Sequence, residues 1–239
     1  MRNTIWDSVG NTPLIKIESL SKLTGNEIYG KAEFLNPGGS IKDRAAKWIL
    51  KTAEDEGLLK PGYTIYEGTA GNTGIGIATL AAARGYKVVL TVPDNQSPEK
   101  FALLEALGAK IIKVAPCPFA DQKHFYHQAK KMAQESSHSF WANQFENTAN
   151  ARAHYEGTGP EIWRETDGHV DAFTCSVGSG GTIGGLSKFF KEKNSEIWIR
   201  LADPFGSGLF EYFYNQNLKT EGSSITEGIG IMRITANFQ

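Results

Sequence analysis

Apolar strand-like runs alternate with helical patterns through most of the chain. The runs are KVVLTV, KIIKVA, VDAFTC and EIWIRLA, at residues 87–92, 110–115, 170–175 and 196–202. Between them, apolar residues recur at helical spacing, as Phe101, Leu104 and Leu107 do in the segment that follows Ser97 and Pro98. Because parallel strands need a crossover connection, this alternation predicts an α/β fold with a parallel sheet.

Turn and cap residues predict where the helices begin and end. After a turn of sequence NPGG, Ser40 with Asp43 three positions later has the pattern of a capped helix start, and this helix is expected to run to Gly57. A further helix is predicted from about Asp121. The last predicted helix is aromatic, around residues 209–214, and only a tail is expected beyond it.

Composition excludes several classes of protein. The 239 residues are 40% hydrophobic, enough for a substantial core, and 25 basic against 26 acidic residues leave a net charge of -1. No strong field attracts nucleic acid or an anionic membrane, so neither is an expected partner. No apolar run has the length of a membrane span or a secretory signal, and Cys117 and Cys175 stand far apart. These features predict a soluble cytoplasmic protein without a disulfide framework or a thiolate metal site.

A glycine-rich loop, GSGGT at residues 178–182, follows the VDAFTC run. Small residues let successive backbone N–H groups approach an anion, and the start of the next helix adds its positive dipole end. A tight turn without a ligand would use the same glycines. The hydroxyls of Ser179 and Thr182 favour a phosphate. Because Ile183 occupies the third glycine position of a GxGxxG pattern, a dinucleotide is not favoured.

Lys42 lies in the first turn of the helix predicted after Ser40. The helix dipole opposes a cation there, so the pKa of its ammonium group should fall. A lysine with a neutral amine can form a Schiff base. From the residues alone, however, an exposed lysine that points to water and is compensated by Asp43 is the simpler interpretation.

The loop TAGNT, at residues 69–73, supplies hydroxyl, amide and helix-start N–H donors. Such a set suits a carboxylate or a phenolic oxygen, although ordinary helix capping uses the same residue types. Gln144 follows another strand end and would complete the site, but a single glutamine is more often a solvated loop residue. His124 and His127 share a helix face without a third ligand, so we predict no metal site.

The motifs NPGGSIKDR, EGTAGNTG, NQF, GPEIW, VGSGGT and EGIG occur in this order along the chain. Taken together, with their order and spacing, they resemble the cysteine synthases, members of the fold type II pyridoxal-phosphate family. The resemblance covers nearly the whole chain. The two loops at 69–73 and 178–182, and Lys42, fall within these motifs.

The resemblance implies a role for each motif. Lys42 would be the catalytic residue, joined to pyridoxal 5'-phosphate as a Schiff base, and Asn72 would hydrogen-bond the 3'-oxygen of the cofactor. The residues that would hold the cofactor phosphate are Gly178, Ser179, Gly180, Gly181 and Thr182. Those that would bind the substrate carboxylate are Thr69, Ala70, Gly71, Thr73 and Gln144. Gly228 would approach the substrate amino group with its backbone.

The resemblance also implies the fold and the reaction. The expected fold has two open-sheet, three-layer α/β domains of the tryptophan synthase β-like architecture. Residues 38–147 would form the smaller domain, and residues 1–37 with 148–239 the larger, cofactor-binding one. O-acetylserine would lose acetate, and sulfide would add to give L-cysteine. The expected partners are thus a small amino-acid substrate and sulfide, and the expected assembly is a homodimer.

Two features depart from the family pattern. Many relatives have serine where this chain has Ala70, so one hydroxyl near the substrate is absent. The chain ends at Gln239, before the family's later serine-containing segment, so the larger domain is expected to be incomplete and to bind the cofactor more weakly. Three alternatives remain open: β-replacement like that of cystathionine β-synthase, use of O-phosphoserine, or an inactive relative that serves as a binding protein.

Overall fold

Parallel strands and their connecting helices make up most of the computed structural model, which describes residues 4–69, 71–219, 222 and 226–238. The strands are β1 (Leu14–Lys16), β2 (Tyr29–Lys31), β3 (Thr64–Gly68), β4 (Lys87–Pro93), β5 (Lys110–Val114), β6 (Ser139–Trp141), β7 (Ala172–Ser176) and β8 (Trp198–Ala202). The helices are α1 (Glu18–Thr24), α2 (Lys42–Asp55), α3 (Asn72–Ala82), α4 (Pro98–Ala106), α5 (Phe125–Glu135), α6 (Ala149–Ala153), α7 (Gly159–Glu165), α8 (Gly181–Lys193) and α9 (Leu209–Asn215). No helix in these ranges is both long and apolar enough to cross a bilayer.

A four-stranded parallel sheet has the order β5-β4-β3-β6. After Lys87, every residue of β4 is buried, which explains its uninterrupted apolar run, because parallel sheets are covered on both faces. Ile65 of β3, Leu90 of β4 and Ile77 of α3 are fully buried together. All four strands point the same way, so their carboxyl ends lie along one edge of the sheet.

A second parallel pair, β7 with β8, forms the sheet of the other half, and β1 pairs antiparallel with β2. Helix α8 packs its apolar stripe on this pair, where Leu186, Phe190 and Ile197 are almost completely buried. The glycine-rich loop connects β7 to α8, as the sequence predicts. The two parallel sheets therefore each present a loop at a strand end, which is where open sheets bind ligands.

A buried ion cluster joins α2 to α7 and to the N-terminal segment. The guanidinium of Arg44 pairs with Glu161 (Nη2–Oε2, 2.7 Å) and with Glu33 (Nε–Oε2, 2.6 Å). Asn11 N donates to Glu161 Oε1 at 2.9 Å, and Lys31 Nζ lies 3.1 Å from Glu161 Oε2. These contacts fix the start of α2, and with it the position of the residues that begin that helix.

Three helix predictions need correction. Ile41 is the N-cap of α2, one position after Ser40, although Ser40 Oγ accepts from Lys42 N at 3.2 Å as a cap would. Asp43 turns back to accept a hydrogen bond from Gly38 N. Helix α5 begins at Phe125 because residues 118–124 form successive hydrogen-bonded turns instead of continuous helix. The segment after α9 is more than a tail: residues 226–238 fold back onto the loop after β7.

Candidate active site

A cavity of about 740 Å³ lies at the carboxyl edge of the four-stranded sheet. Its wall combines the loops after β3 and β6, the start of α2, the loop after β7 and the segment 226–233. The predicted site residues on this wall are Lys42, Thr69, Gly71, Asn72, Thr73, Gln144, Gly178, Ser179 and Gly228. The fold thus brings together residues that lie far apart in the sequence.

Three of the other predicted residues lie off this wall, and Ala70 is outside the described residues. Gly180, Gly181 and Thr182 form the N-cap and first turn of α8, next to Ser179. The hydroxyl of Thr182 lies 3.3 Å from Nε2 of the buried His154. Burial lowers the pKa of His154 to about 3, so this imidazole is neutral and adds no charge behind the loop.

Lys42 begins α2 and is half-buried on the cavity wall. Burial lowers the pKa of its ammonium group, and the nearby Cys175 thiol acts in the opposite direction. Among the described residues, no carboxylate pairs with Lys42, and Asp43 is buried and occupied with Gly38 N. The exposed lysine compensated by Asp43 is therefore wrong. A lysine that faces a cavity and favours its neutral form can attack a carbonyl carbon.

The loop after β7 leaves backbone donors for an anion. Gly180 is the N-cap of α8 with a φ of 89°, a left-handed conformation that glycine adopts without strain. Gly180 has no side chain that could cap α8, and the first N–H groups of a helix have no intrahelical partner. Ser179 Oγ accepts a hydrogen bond from Asn150 Nδ2 at 2.8 Å, which leaves its own proton to donate into the cavity.

The atoms packed behind this loop leave no room for a side chain at two of its glycines. A Cβ on Gly178 would collide with Gly228 O, and one on Gly181 would collide with Asn150 Oδ1. Asn150 Nδ2 also donates to Gln144 O at 2.9 Å, in addition to its bond with Ser179. Asn150 therefore links the anion loop to the loop after β6.

The loop after β3 is joined directly to Gln144. Gly71 N donates to Thr69 Oγ1 at 3.1 Å, and α3 begins at Asn72 without a side-chain cap. Thr73 Oγ1 donates to Gln144 Oε1 at 2.5 Å. Gln144 is only 5% exposed, so the interpretation of a solvated loop glutamine is wrong. This side of the cavity offers N–H and amide donors beside the positive end of α3.

The segment 226–238 closes the cavity from the far side. Gly230 N donates to Val177 O at 2.7 Å, and Thr235 Oγ1 donates to Ser179 O at 2.7 Å. Gly228 lies on the cavity wall with a φ of 76°, and its carbonyl oxygen approaches the loop after β7. The predicted approach of this backbone to a substrate amino group stays a prediction.

The final turn, Ala236–Phe238, reaches the loop after β6. Asn237 Nδ2 donates to Gln144 O at 3.0 Å and to Phe145 O at 2.8 Å. Its Oδ1 accepts from Ala151 N at 2.9 Å. Asn237 is 1% exposed, so it acts as an internal connector between the end of the described chain and the cavity wall.

Sequence reasoning missed an arginine surrounded by aromatic rings at the cavity mouth. The guanidinium carbon of Arg233 lies 4.2, 4.9 and 4.6 Å from the ring centroids of Phe119, Tyr126 and Phe145. Its Nη1 is 3.5 Å from Glu146 Oε1. These residues come from three separate segments and share no local pattern, so no sequence signal pointed to them.

His124 and His127 serve the local structure of α5. His124 Nδ1 accepts from Tyr126 N at 3.3 Å, and His127 Nε2 lies 2.7 Å from Phe119 O. Within the part of the chain that the structure describes, no group of three His, Cys, Asp or Glu side chains is placed to hold a metal ion.

Known proteins resemble this chain over nearly its whole length. The family model described as "Pyridoxal-phosphate dependent enzyme" matches residues 5–238. Cysteine synthase 1 of Neurospora crassa is 51% identical over 235 residues, which cover 97% of this chain and 62% of that protein. Cysteine synthase 1 of Emericella nidulans is 50% identical over 240 residues, covering 99% of this chain and 65% of that protein. The chain therefore spans less than two thirds of the length of these curated relatives.

A solved structure shares the fold. The crystal structure of a hydrogen sulfide-producing enzyme from Fusobacterium nucleatum matches with a TM-score of 0.90 and 35% identity, covering 100% of this chain and 78% of that chain. This likeness, with the family match, confirms the fold class and the family resemblance predicted from the sequence. The roles of individual residues stay predictions.

Proposed function

Since the chain belongs to the family of pyridoxal-phosphate-dependent enzymes, we propose that it forms L-cysteine from O-acetylserine and sulfide by β-replacement, with Lys42 carrying the cofactor. One observation carries the proposal. Lys42 is half-buried without a carboxylate partner among the described residues, and it shares its cavity with the loop that leads into the uncapped start of α8. Two relatives that are 51% and 50% identical to this chain, both named cysteine synthase 1, support the reaction.

The described residues fit the cofactor. The cavity is within the size range of small-molecule sites. The free N–H groups at the start of α8 and the Ser179 hydroxyl suit a phosphate, and Asn72 on the same wall would hydrogen-bond the 3'-oxygen. When bound, pyridoxal phosphate supplies an electron sink for negative charge at the substrate α-carbon. The residues that would form the phosphate loop are Gly178, Ser179, Gly180, Gly181 and Thr182.

Lys42 would move a proton as well as hold the cofactor. Because burial favours its neutral form, Nζ can accept the α-proton of the bound amino acid, and the resulting ammonium group can return it. The start of α2, fixed by the Arg44 ion cluster, positions the lysine backbone, and the long side chain reaches into the cavity.

The opposite wall would hold the amino-acid substrate. The start of α3 and the Gln144 amide offer donors for a carboxylate, and the Gly228 backbone would approach the amino group. The predicted carboxylate-binding set is Thr69, Ala70, Gly71, Thr73 and Gln144, of which Ala70 is outside the described residues. This arrangement would orient the α-carbon toward Lys42 and exclude other binding poses.

Product formation by the cofactor-loaded chain tests the proposal. We expect L-cysteine from O-acetylserine and sulfide at a higher kcat/KM than with O-phosphoserine as the donor or homocysteine as the nucleophile. A higher kcat/KM with O-phosphoserine or with homocysteine would show that our substrate assignment is wrong. Cofactor binding without any product would support the inactive binding protein. A chain without a visible absorption band after incubation with the cofactor would refute the role of Lys42.

The domain division, the homodimer and the cytoplasmic location also stay proposals. The division at residues 38 and 148 is supported by the buried clusters around Phe190 and Val177, which contain only residues after 148. The cluster around Ile65 and Leu90 also includes Trp6, Val9 and Ala149 from the other side of these boundaries. Sedimentation of the purified chain would measure the assembly, and a monomer at all concentrations would contradict the homodimer.

A further inference from the structure

Glu67 is a buried carboxyl group beneath the candidate active site. It is the fourth residue of β3 and is 1% exposed, and β3 lies between β4 and β6. In the described part of the chain, no lysine or arginine compensates its charge, and its Oε2 has no hydrogen-bond partner. Burying a carboxyl group without a cation opposes folding, so its presence at this position calls for a reason.

Glu67 is the last member of a directed chain of hydrogen bonds. Thr73 Oγ1 donates to Gln144 Oε1 at 2.5 Å, and Gln144 Nε2 donates to Glu67 Oε1 at 3.0 Å. All three residues are buried, whereas only Thr73 and Gln144 line the cavity. Glu67 therefore lies behind the cavity wall, and its side-chain hydrogen bond to that wall is the one from Gln144.

The direction of this chain determines what Gln144 offers to a ligand. The two ends of an amide have nearly the same shape, so its orientation is set by the groups around it. Glu67 Oε1 is an acceptor, and an amide rotated by 180° would place a second acceptor, the carbonyl oxygen, against it. In the observed orientation, Nε2 uses one N–H for Glu67 and keeps the other for the cavity.

We infer that Glu67 is a positioning residue that holds the N–H side of Gln144 toward a substrate α-carboxylate, and this inference rests on the proposed function of the site. With the amide reversed, Gln144 would present an oxygen to the carboxylate, and two acceptors repel each other. Glu67 therefore selects ligands with a carboxylate over ligands with a neutral amide at the same place.

The charge state of Glu67 decides whether it fixes the amide. Burial raises the pKa of Glu67 to about 8, against the lowering effects of hydrogen bonds from the Gln144 side chain and from the Asn143 and Gln144 backbone. The ionised carboxylate only accepts and therefore holds Nε2 of Gln144 toward it, whereas the neutral acid can donate or accept, as an amide can. The positioning role therefore belongs to the ionised form, which predominates above pH 8.

Glu67→Gln is the sharpest variant because it keeps the shape of the side chain. Its new amide can either donate or accept, so it no longer fixes the orientation of Gln144. The matched control is Glu54→Gln, which changes a carboxylate that accepts from Tyr86 Oη at 2.8 Å away from the cavity. Calorimetric binding of L-serine and of L-serinamide to the cofactor-loaded chain, measured above pH 8 where Glu67 is ionised, compares ligands that differ only at the carboxylate.

We expect wild type and Glu54→Gln to prefer L-serine, and Glu67→Gln to lose about tenfold to a hundredfold of that preference. The affinity for L-serinamide and the thermal midpoint should not fall. In turnover, KM for the amino-acid substrate should rise while kcat changes little. An unchanged preference in Glu67→Gln, or an equal loss of affinity for both ligands, would overturn the inference.

These outcomes separate the inference from the proposed reaction. If wild type forms no cysteine and Glu67→Gln still loses its carboxylate preference, β-replacement fails and the role of Glu67 stands. If wild type forms cysteine and Glu67→Gln keeps its preference for the carboxylate ligand, β-replacement stands and the role of Glu67 fails. Should Glu67→Gln fail to fold, neutron diffraction from wild-type crystals locates the amide deuterium atoms of Gln144. Deuterium facing Glu67 supports the inference, and a carbonyl oxygen there overturns it.

Discussion

Replacing Gly181 by alanine tests whether the packing of Asn150 behind the phosphate loop controls cofactor affinity. The new Cβ would collide with Asn150 Oδ1 and lie 2.9 Å from Asn150 Nδ2. Asn150 is 1% exposed, so it has no solvent space to move into. Any displacement would break its bonds to Gln144 O and Ser179 Oγ, at 2.9 and 2.8 Å.

The size of the effect follows from these contacts. Overpacking in a buried layer costs about 1–3 kcal/mol. Each of the two hydrogen bonds of Asn150 contributes about 1 kcal/mol, and the better helix propensity of alanine returns about 1 kcal/mol. The net loss is then about 2–4 kcal/mol. If half of it falls on the phosphate loop, the dissociation constant for pyridoxal phosphate rises about 5-fold to 30-fold.

Absorbance titration with the cofactor and a thermal melt of the apo chain measure both parts of this loss. Gly157→Ala is the matched control, because among the described residues the nearest atom to a Cβ there is Arg44 Nη1, at an ordinary 3.8 Å. We expect the control to keep wild-type affinity and midpoint. If Gly181→Ala behaves like Gly157→Ala in both measurements, the collision with Asn150 does not control the loop and our reasoning is wrong.

Three further predictions address single groups. Lys42→Ala should show no visible band with the cofactor, whereas Lys51→Ala, at a side chain 52% exposed, should keep it; a band in Lys42→Ala would exclude this lysine. Asn72→Ala should retain some cofactor and lose most turnover, and a wild-type kcat would contradict its assigned role. Burial alone would raise the pKa of Glu161, but hydrogen bonds and charge from Arg44 lower it from 4.5 to about 2. The contribution of Glu161 to stability is thus present above pH 4.5 and lost as the pH falls towards 2. Glu161→Gln should therefore make the melting temperature fall less steeply with pH in that range. An unchanged slope of melting temperature against pH would count against the ion cluster.

Sequence patterns predicted the elements whose burial is nearly complete. The run KVVLTV predicted β4 correctly because both faces of this strand are covered. The glycine-rich loop before α8 was predicted because an anion site and a left-handed N-cap both need glycine. The start of α2 was predicted to within one residue because Ser40 Oγ accepts from Lys42 N, but the return of Asp43 to Gly38 N was not predicted. Helix α5 began later than expected because its first turn is replaced by other hydrogen-bonded turns.

The parts of the site that sequence reasoning missed depend on distant partners. Glu67 looks like an ordinary strand residue until Gln144, 77 positions later, donates to it. Arg233 has no motif, and its aromatic neighbours come from other segments. Gln144 itself was identified only through the family resemblance, since the side chains that hold it, Thr73 and Glu67, lie 71 and 77 positions away.

The bond between Asn237 and Gln144 also has a consequence for the order of folding. It closes a loop of 93 residues, and such long-range closures are entropically expensive and form late. The β3–β4 and β4–β5 pairs, such as Thr64 with Lys87 and Val89 with Lys110, join positions much closer in sequence and can form before the final turn arrives. In a refolding experiment, the cavity would therefore be completed in the last kinetic phase, and the gain of cofactor affinity would follow the gain of secondary structure.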